Sequence, residues 1–334
     1  MYSKPFHQAD LNKLSFLVTG GAGFIGSNIV EYLVKYNTGK IRILDNLATG
    51  SIQNIEPFLN LPNVEFIQGD ITDEKTCTEA CQNIDYVLHQ AALGSVPRSI
   101  KDPIATNNVN STGFLNILVA AKEANVKRVV YASSSSVYGD SPKLPKVEAE
   151  IGKPLSPYAV SKLTNELYAD VFHKVYGMEI IGLRYFNIFG PKQSPQGEYA
   201  AAIPLFINAV LNQQSPYING DGEQTRDFTF VENAVQANIR SALSDNKEAI
   251  NQVFNVAVGE NTSINNLFQL LNEFARTNVK SVHRADRPGD VRNSLADISK
   301  ATRLIGYVPT AKLKEGLKIT LEWFERVYSL TKIE

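Results

Sequence analysis

The chain of 334 residues is 43% apolar and 20% charged with a formal net charge of −1, which supports a large globular core and excludes broad binding to nucleic acid or anionic membranes. Two cysteines, Cys77 and Cys81, and four scattered histidines exclude a disulfide framework and a structural metal cage. With neither a signal-peptide pattern in residues 1–14 nor an apolar run of membrane-spanning length, a soluble cytoplasmic protein is expected.

In chain order, short β-branched or aliphatic runs alternate with longer helical patterns. The strand candidates are "SFLVTG" (15–20), "IRILD" (41–45), "VEFIQGD" (64–70), "DYVLHQ" (85–90), "RVVYAS" (128–133) and "EIIGLRY" (179–185). Helix-like segments fall near 25–36, 73–83, 104–125 and 157–176. This alternation predicts βαβ units and a parallel sheet covered on both faces, and the continuously apolar strands fit that burial. After about residue 186, loops rich in Gly, Pro, Gln and Asn separate helical patterns at 203–213, 263–276, 297–304 and 313–326. "QVFNVAV" (252–258) reads as a strand returning to the sheet. The expected organisation is a nucleotide-binding domain over 1–186 and a smaller mixed α/β substrate lobe over 187–334. Ligands of open α/β sheets sit at the carboxyl ends of the strands, so the cleft is expected between the two. The residues before Leu14 read equally as packed or loose.

"LVTGGAGFIGS" (17–27) runs from the first strand into an amphipathic helix. Gly20, Gly23 and Gly26 let the backbone turn tightly and approach a pyrophosphate at the helix N-terminus, with Phe24 and Ile25 in the same turn. The fold class expected is therefore a Rossmann-type, doubly wound parallel α/β sheet. Asp45 ends the second strand, 19 residues after Gly26. A carboxylate there binds the adenine-ribose hydroxyls and repels a 2′-phosphate, so NAD is expected rather than NADP. Asn46, Gly50, Asp70, Ile71, Gln90, Ala91, Ala92, Asn107 and Tyr185 complete the expected cofactor set. Asp70 reads equally as a helix N-cap, and His89 reads as a packed strand-end residue rather than a catalyst.

"YASSSSVYG" (131–139) places Ser133 to Ser136 at the end of the fifth strand, and "SPYAVSK" (156–162) places Tyr158 and Lys162 one helical turn apart. Alone, that pair is either a solvated helix face or a phenol whose pKa a cation lowers. Beside a dinucleotide site and a strand-end hydroxyl it reads as a proton-transfer set.

The three glycines, the serine run with Ser134, and Tyr158 with Lys162 together resemble the extended short-chain dehydrogenase/reductase family over nearly the whole chain. The resemblance implies that Tyr158 is the general base, that Lys162 lowers its pKa and holds the nicotinamide ribose, and that Ser134 bridges to the substrate hydroxyl. "RYFNIFGP" (184–191), "GDGEQTRDFTFVEN" (220–233) and "RPGDVRNSLAD" (287–297) resemble the nucleotide-sugar enzymes of this family. That implies Asn187 against the sugar diphosphate, Arg226 and Arg287 clamping it, and Asp290 on the uridine ribose; guanidinium forks suit phosphate oxygens, and a carboxylate suits a diol.

Family dehydratases carry Asp-Glu directly after the catalytic hydroxyl, and similar decarboxylases usually carry a Glu in that run. Here Ser135 and Ser136 stand there, and neither titrates near neutral pH. What remains is hydride removal and return, a 4-epimerisation through a 4-keto sugar on retained NAD. Where epimerases specific for galactose and glucose hold a bulky Tyr, this chain has Ser294. With "LGSVPRSIKDP" (93–103), that segment resembles bacterial UDP-N-acetylglucosamine 4-epimerases, which implies space for an N-acetyl group and interconversion of UDP-GlcNAc and UDP-GalNAc. UDP-glucose or UDP-glucuronate epimerisation and a non-catalytic NAD-binding role stand as alternatives; no residue shaped for a C6 carboxylate stands out. The resemblance also implies a homodimer built on the helices near 104–125 and 157–176.

Overall fold

The computed structural model describes residues 1–196, 200–285 and 292–331. In the first half, strands β1 (Ser15–Thr19), β2 (Lys40–Asp45), β3 (Val64–Gln68), β4 (Tyr86–His89), β5 (Arg128–Ser134) and β6 (Ile180–Tyr185) alternate with helices. The helices are α1 (Phe24–Lys35), α2 (Glu74–Cys81), α3 (Val96–Lys101), α4 (Pro103–Asn107), α5 (Gly113–Glu123) and α6 (Pro157–Tyr176). The second half contributes the short strands β7 (Ile188–Phe189), β8 (Tyr217–Asn219), β9 (Thr225–Arg226) and β10 (Thr229–Phe230), then β11 (Val253–Val256), β12 (Thr262–Ser263) and β13 (Val282–Arg284). Its helices are α7 (Ala202–Leu211), α8 (Val231–Ala242), α9 (Ile264–Ala275), α10 (Ser299–Ile305) and α11 (Leu313–Thr331).

Seven strands form one sheet in the order β11-β6-β5-β4-β1-β2-β3, with every pair parallel. Successive strand residues point to opposite faces, and here both faces are apolar. Phe16, Val18, Ile41, Ile43, Val130 and Ile181 pack with α1 and α8, while Leu17, Leu44, Val87, Val129 and Tyr131 pack with α2, α5 and α6. Each such side chain contributes about 1.5–3 kcal/mol of burial. The order reverses between β1 and β4, so the crevice at their carboxyl ends is where a ligand belongs. A third core of Phe189, Phe206, Phe230, Leu267, Leu271, Leu317 and Phe324 holds α7, α9 and α11 together beyond that crevice.

Two local differences from the sequence reading have physical causes. The helix expected over 104–125 is broken into α4, a π-helical turn over Asn108–Thr112, and α5. Helix α8 was not expected, because Asn233, Gln236 and Asn238 interrupt its apolar stripe, yet all three are buried. Each has a partner: Asn233 Oδ1 accepts from Thr310 N at 2.7 Å, Gln236 Oε1 accepts from Val308 N at 2.8 Å, and Asn238 Nδ2 donates to Tyr185 Oη at 2.7 Å.

The residues before Leu14 pack. Tyr2 is buried and its hydroxyl donates to Asn28 O at 3.0 Å, while Phe6 N donates to Tyr32 Oη at 2.7 Å. Phe6 stacks on Tyr32 at 5.1 Å, and Tyr36 donates to Tyr2 O at 3.0 Å. This segment covers the back of α1, the helix that opens with Gly23. Among the described residues no helix is long and apolar enough to cross a membrane, and no cluster of His, Cys, Asp and Glu could hold a metal ion.

Candidate active site

The glycine turn between β1 and α1 is closed by Gly20 N donating to Leu44 O at 2.8 Å and Gly23 N donating to Gly20 O at 3.0 Å. Gly20 has φ +65°, and a Cβ there would stand 2.7 Å from Ala91 N; a Cβ at Gly26 would stand 2.1 Å from Gly20 O. Only glycine fits either place, and the bare backbone leaves room for a diphosphate at the N-terminus of α1. Asp45 is buried, with Oδ2 accepting from Ala22 N at 2.9 Å and Oδ1 accepting from Leu47 N at 2.8 Å. A carboxylate offers about four acceptor sites, so both oxygens keep capacity for a ribose diol.

Around this turn lies a cleft of about 390 Å³ lined by Gly20, Gly23, Phe24, Ile25 and Gly26, by Asp45, Asn46, Asp70 and Ile71, and by Gln90, Ala91 and Ala92. Asn46 Nδ2 donates to Asp70 Oδ2 at 2.7 Å, and Thr72 N donates to Asp70 Oδ1 at 2.8 Å. Burial pushes the Asp70 carboxyl up, but the bonds from Thr72 and Asn46 outweigh it and hold the group below its ordinary value. The small Ala91 and Ala92 and the carboxylate at the end of β2 suit an adenine dinucleotide.

Three residues expected at the cofactor lie elsewhere. Asn107 is exposed and lines a separate surface hollow with Asp102 and Ile104. The π-helical turn adds a residue to the coil, so Asn110 turns inward instead, accepting from Leu93 N at 2.7 Å and donating to Ser161 Oγ at 3.1 Å. Gly50 packs against the glycine turn beside the cleft, where a Cβ would stand 2.9 Å from the carbonyl carbon of Ala22 and 3.0 Å from Gly23 N. Tyr185 does not line the cleft; its hydroxyl donates to Gln90 Oε1 at 2.9 Å and accepts from Asn238, so it fixes the Gln90 side chain from behind.

At the end of β5 the serines divide by strand alternation. Ser133 points away from the cleft and donates to Glu166 Oε1 at 2.5 Å, while Ser134 Oγ accepts from Ser136 N at 3.1 Å. Helix α6 delivers the remaining pair. It starts at Ser156, whose Oγ accepts from Ala159 N at 3.1 Å, has Pro157 in its first turn, and ends at Gly177 with φ +69°. Tyr158 and Lys162 thus stand on its first two turns, facing the sheet.

Lys162 is 2% exposed and its Nζ donates to Ala132 O at 2.8 Å. Burial pulls its pKa down to about 8. The ammonium stands 5.9 Å from the Tyr158 ring centroid and is turned to a carbonyl. Burial pushes the phenol above its ordinary value, and a hydrogen bond with Ser134 offsets part of the rise. His89 is packed 5.3 Å from the Phe114 ring, with Nδ1 2.8 Å from Thr19 Oγ1. Burial, with Lys162 nearby, pulls its pKa down to about 3, so it is neutral and takes no acid–base part.

Tyr158 and Ser134 open into a cavity of about 290 Å³ shared with Ser135, Ser136, Asn187, Arg226 and Ser294. A neighbouring cavity of about 260 Å³ is lined by Asn187, Arg226, Tyr217, Gln224 and Phe228. Asn187 and Arg226 line both, so they stand where the two meet. Arg226 Nη1 donates to Thr225 O at 2.9 Å and Arg292 O at 3.1 Å, which fixes the guanidinium there. Arg287 and Asp290 lie outside the described residues. The sequence reading missed Lys146, Leu155 and Asn293 in the first cavity and Tyr217 and Gln224 in the second, since none sits in a pattern that marks a ligand.

Residues 16–257 match a family described as the NAD dependent epimerase/dehydratase family. The chain is 39% identical over 311 residues to a putative UDP-glucose 4-epimerase of Methanocaldococcus jannaschii, covering 92% of this chain and 98% of that protein. The structure of a UDP-N-acetylglucosamine 4-epimerase from Methanobrevibacter ruminantium, in complex with UDP-N-acetylmuramic acid, superposes with a TM-score of 0.89 at 42% identity, over 94% of this chain and 99% of that one. A UDP-glucose 4-epimerase from Thermotoga maritima, with UDP-glucose, gives a TM-score of 0.88 at 36% identity, over 94% of this chain and 100% of that one.

Proposed function

The chain belongs to the NAD dependent epimerase/dehydratase family, and from that premise we propose that it is a UDP-sugar 4-epimerase whose substrates are UDP-N-acetylglucosamine and UDP-N-acetylgalactosamine. The observation that carries the sugar is Ser294, a small side chain in the wall of the cavity that also holds Tyr158 and Ser134. A serine there leaves space for the N-acetyl group at C2. The similarity to the Methanobrevibacter ruminantium enzyme supports the same sugar, and the M. jannaschii and T. maritima relatives support the coarser reading of a UDP-sugar 4-epimerase.

NAD is the cofactor, and when bound it accepts a hydride from sugar C4 and returns it. Gly20, Gly23 and Gly26 would let the backbone approach its diphosphate, and Asp45 would take the ribose diol. Tyr158 removes the C4 hydroxyl proton, directly or through Ser134, and returns it to the epimer. Lys162 would keep a positive charge near the phenol and would hold the nicotinamide ribose. Asn187 and Arg226 hold the sugar diphosphate, with Arg287 and Asp290 proposed for diphosphate and uridine ribose. The hexose would turn inside the cavity while its diphosphate stays fixed, which would present its other face to the cofactor. Ser135 and Ser136 line the cavity but cannot act as the acid and base that would expel water across C5 and C6, which favours an epimerase over a dehydratase. The active unit is proposed to be a homodimer formed on α5 and α6.

The test is proton NMR of the anomeric region after incubating purified protein, without added cofactor, with UDP-GlcNAc and separately with UDP-glucose. The galacto epimer is expected from the acetylated sugar, with little from UDP-glucose. Equal turnover of both removes the selectivity argument at Ser294. No change in either sugar, even with NAD supplied, overturns the epimerase reading.

A further inference from the structure

We propose that Ser133, with the buried Glu166–Arg184 pair behind it, is a positioning unit that fixes the serine run lining the sugar cavity and so sets Ser134 against Tyr158. The proposal rests on the 4-epimerase reading above and deepens it. None of the three residues lines that cavity, so each acts through a neighbour.

Helix α6 and strand β5 meet in a repeating pattern. Tyr158, Lys162 and Glu166 are spaced by four residues and fall on one helical stripe. Ala132, Ser133 and Ser134 are the last three residues of β5, and each answers one member of that stripe. Lys162 Nζ donates to Ala132 O at 2.8 Å, Ser133 Oγ donates to Glu166 Oε1 at 2.5 Å, and Ser134 shares a hydrogen bond with Tyr158. Lys162 and Ser133 are buried, while Ser134 and Tyr158 open into the cavity. A strand end held at two successive residues has little freedom left at the third.

Glu166 is itself fixed from the next strand. Arg184 stands opposite Ser133 in the register of β5 and β6. It grips the carboxylate with both arms of its fork, Nε to Oε1 at 2.9 Å and Nη2 to Oε2 at 2.7 Å, and its Nη1 donates to Glu148 O at 3.1 Å. A bidentate pair fixes orientation as well as distance, so Ser133 meets an acceptor that cannot swing. The same guanidinium lies 4.8 Å from the centroid of the Tyr138 ring, whose hydroxyl donates to Asn255 Oδ1 at 2.6 Å. Tyr138 closes the short helical turn Ser135–Tyr138 and lines the sugar cavity. One buried pair thus holds the serine run at both ends, through Ser133 before it and Tyr138 after it. Stability alone does not require this arrangement, because apolar side chains of similar volume often replace a buried ion pair at no cost. What the pair supplies that they would not is a directed acceptor for one hydroxyl beside the reacting residues.

The test is a double-mutant cycle on turnover of whichever UDP-sugar the wild type epimerises, using Ser133→Ala, Ser134→Ala and the double variant. Ser133→Ala leaves the Glu166–Arg184 pair whole, and urea unfolding checks that each variant is folded. Ser134→Ala keeps the direct route from the sugar hydroxyl to Tyr158, so its residual turnover is measurable. A misplacement of about 1 Å can cost about a hundredfold in rate. Ser133→Ala is expected to lower kcat by about tenfold or more, with KM and the calorimetric affinity for UDP within about twofold of wild type. In the Ser134→Ala background the same change is expected to cost less than about twofold, because a residue that acts through Ser134 has nothing left to position. A kcat within about twofold of wild type in Ser133→Ala overturns the proposal. So does an equal loss in both backgrounds, or a loss carried by KM and UDP affinity, since either marks general packing. A wild type that epimerises no UDP-sugar, even with NAD supplied, overturns the epimerase reading and this proposal with it.

Discussion

Lys162 Nζ donates to the carbonyl oxygen of Ala132 at 2.8 Å, so the cation of α6 is tied to the strand that carries Ser134. Burial holds its pKa at about 8 while the same burial raises the Tyr158 phenol. The chemistry needs phenolate and ammonium together. Below about pH 8 Lys162 is charged and the phenolate fraction grows about tenfold per pH unit, so turnover rises. Above about 8, and below the Tyr158 value, loss of the ammonium cancels the gain in phenolate and the profile levels. Lys162→Arg keeps its charge, so the rise is expected to continue past pH 8 in that variant; a plateau at the same pH would remove Lys162 from the profile. Tyr158→Phe is expected to abolish turnover and keep NAD bound.

Ser294→Tyr narrows the cavity beside the sugar. We expect kcat/KM for UDP-GlcNAc to fall by about tenfold or more, a loss of at least about 1.4 kcal/mol of transition-state binding, while UDP-glucose loses less. A parallel fall in both sugars would show that the wall at 294 does not face C2.

Arg184 and Glu166 form a pair with both side chains nearly excluded from water, 4% and 8% exposed, and Glu166 also accepts from Ser133. Removing one partner strands a buried charge, so Glu166→Gln is expected to cost about 3–5 kcal/mol in urea unfolding. The double variant Glu166→Met, Arg184→Met should recover part of that loss. A single variant within 1 kcal/mol of wild type, roughly the value of an exposed pair, would show that water reaches the site.

The outer face of α6 exposes Val160, Leu167, Val171 and Val175 at 52%, 61%, 49% and 63%, and α5 adds Val119. These fall on one helical stripe that solvent alone does not explain. Sedimentation is expected to show a dimer, and Leu167→Glu with Val171→Glu to give a monomer with its sheet intact. A monomeric wild type would end the proposal.

Much of this was legible in the sequence because it is local. The turn from Gly20 to Gly26, Asp45 at the end of β2, and the Ser156–Pro157 start of α6 each follow from a few adjacent residues. The parallel sheet followed from apolar runs buried on both faces. What stayed hidden depends on distant contacts. Asn107 and Asn110 are both asparagines in one helical stretch, and only the π-helical turn decides which faces inward. Helix α8 reads as polar until Thr310, Val308 and Tyr185 arrive as partners for its amides. Lys146 looks like any charged loop residue until its burial, with its ammonium turned to the Ser141 carbonyl, sets it apart.

Asp45 joins two duties that cofactor engineering usually treats separately. Its carboxylate lines the cleft proposed for the dinucleotide, and its two oxygens accept from Ala22 N and Leu47 N, in the glycine turn and in the loop after β2. An exchange meant to admit a 2′-phosphate, such as Asp45→Ser, would therefore also unfasten the loops that shape the diphosphate seat. Switching this scaffold to the phosphorylated cofactor is thus a two-part redesign: a cation for the phosphate, and a new acceptor for the amides that Asp45 leaves behind.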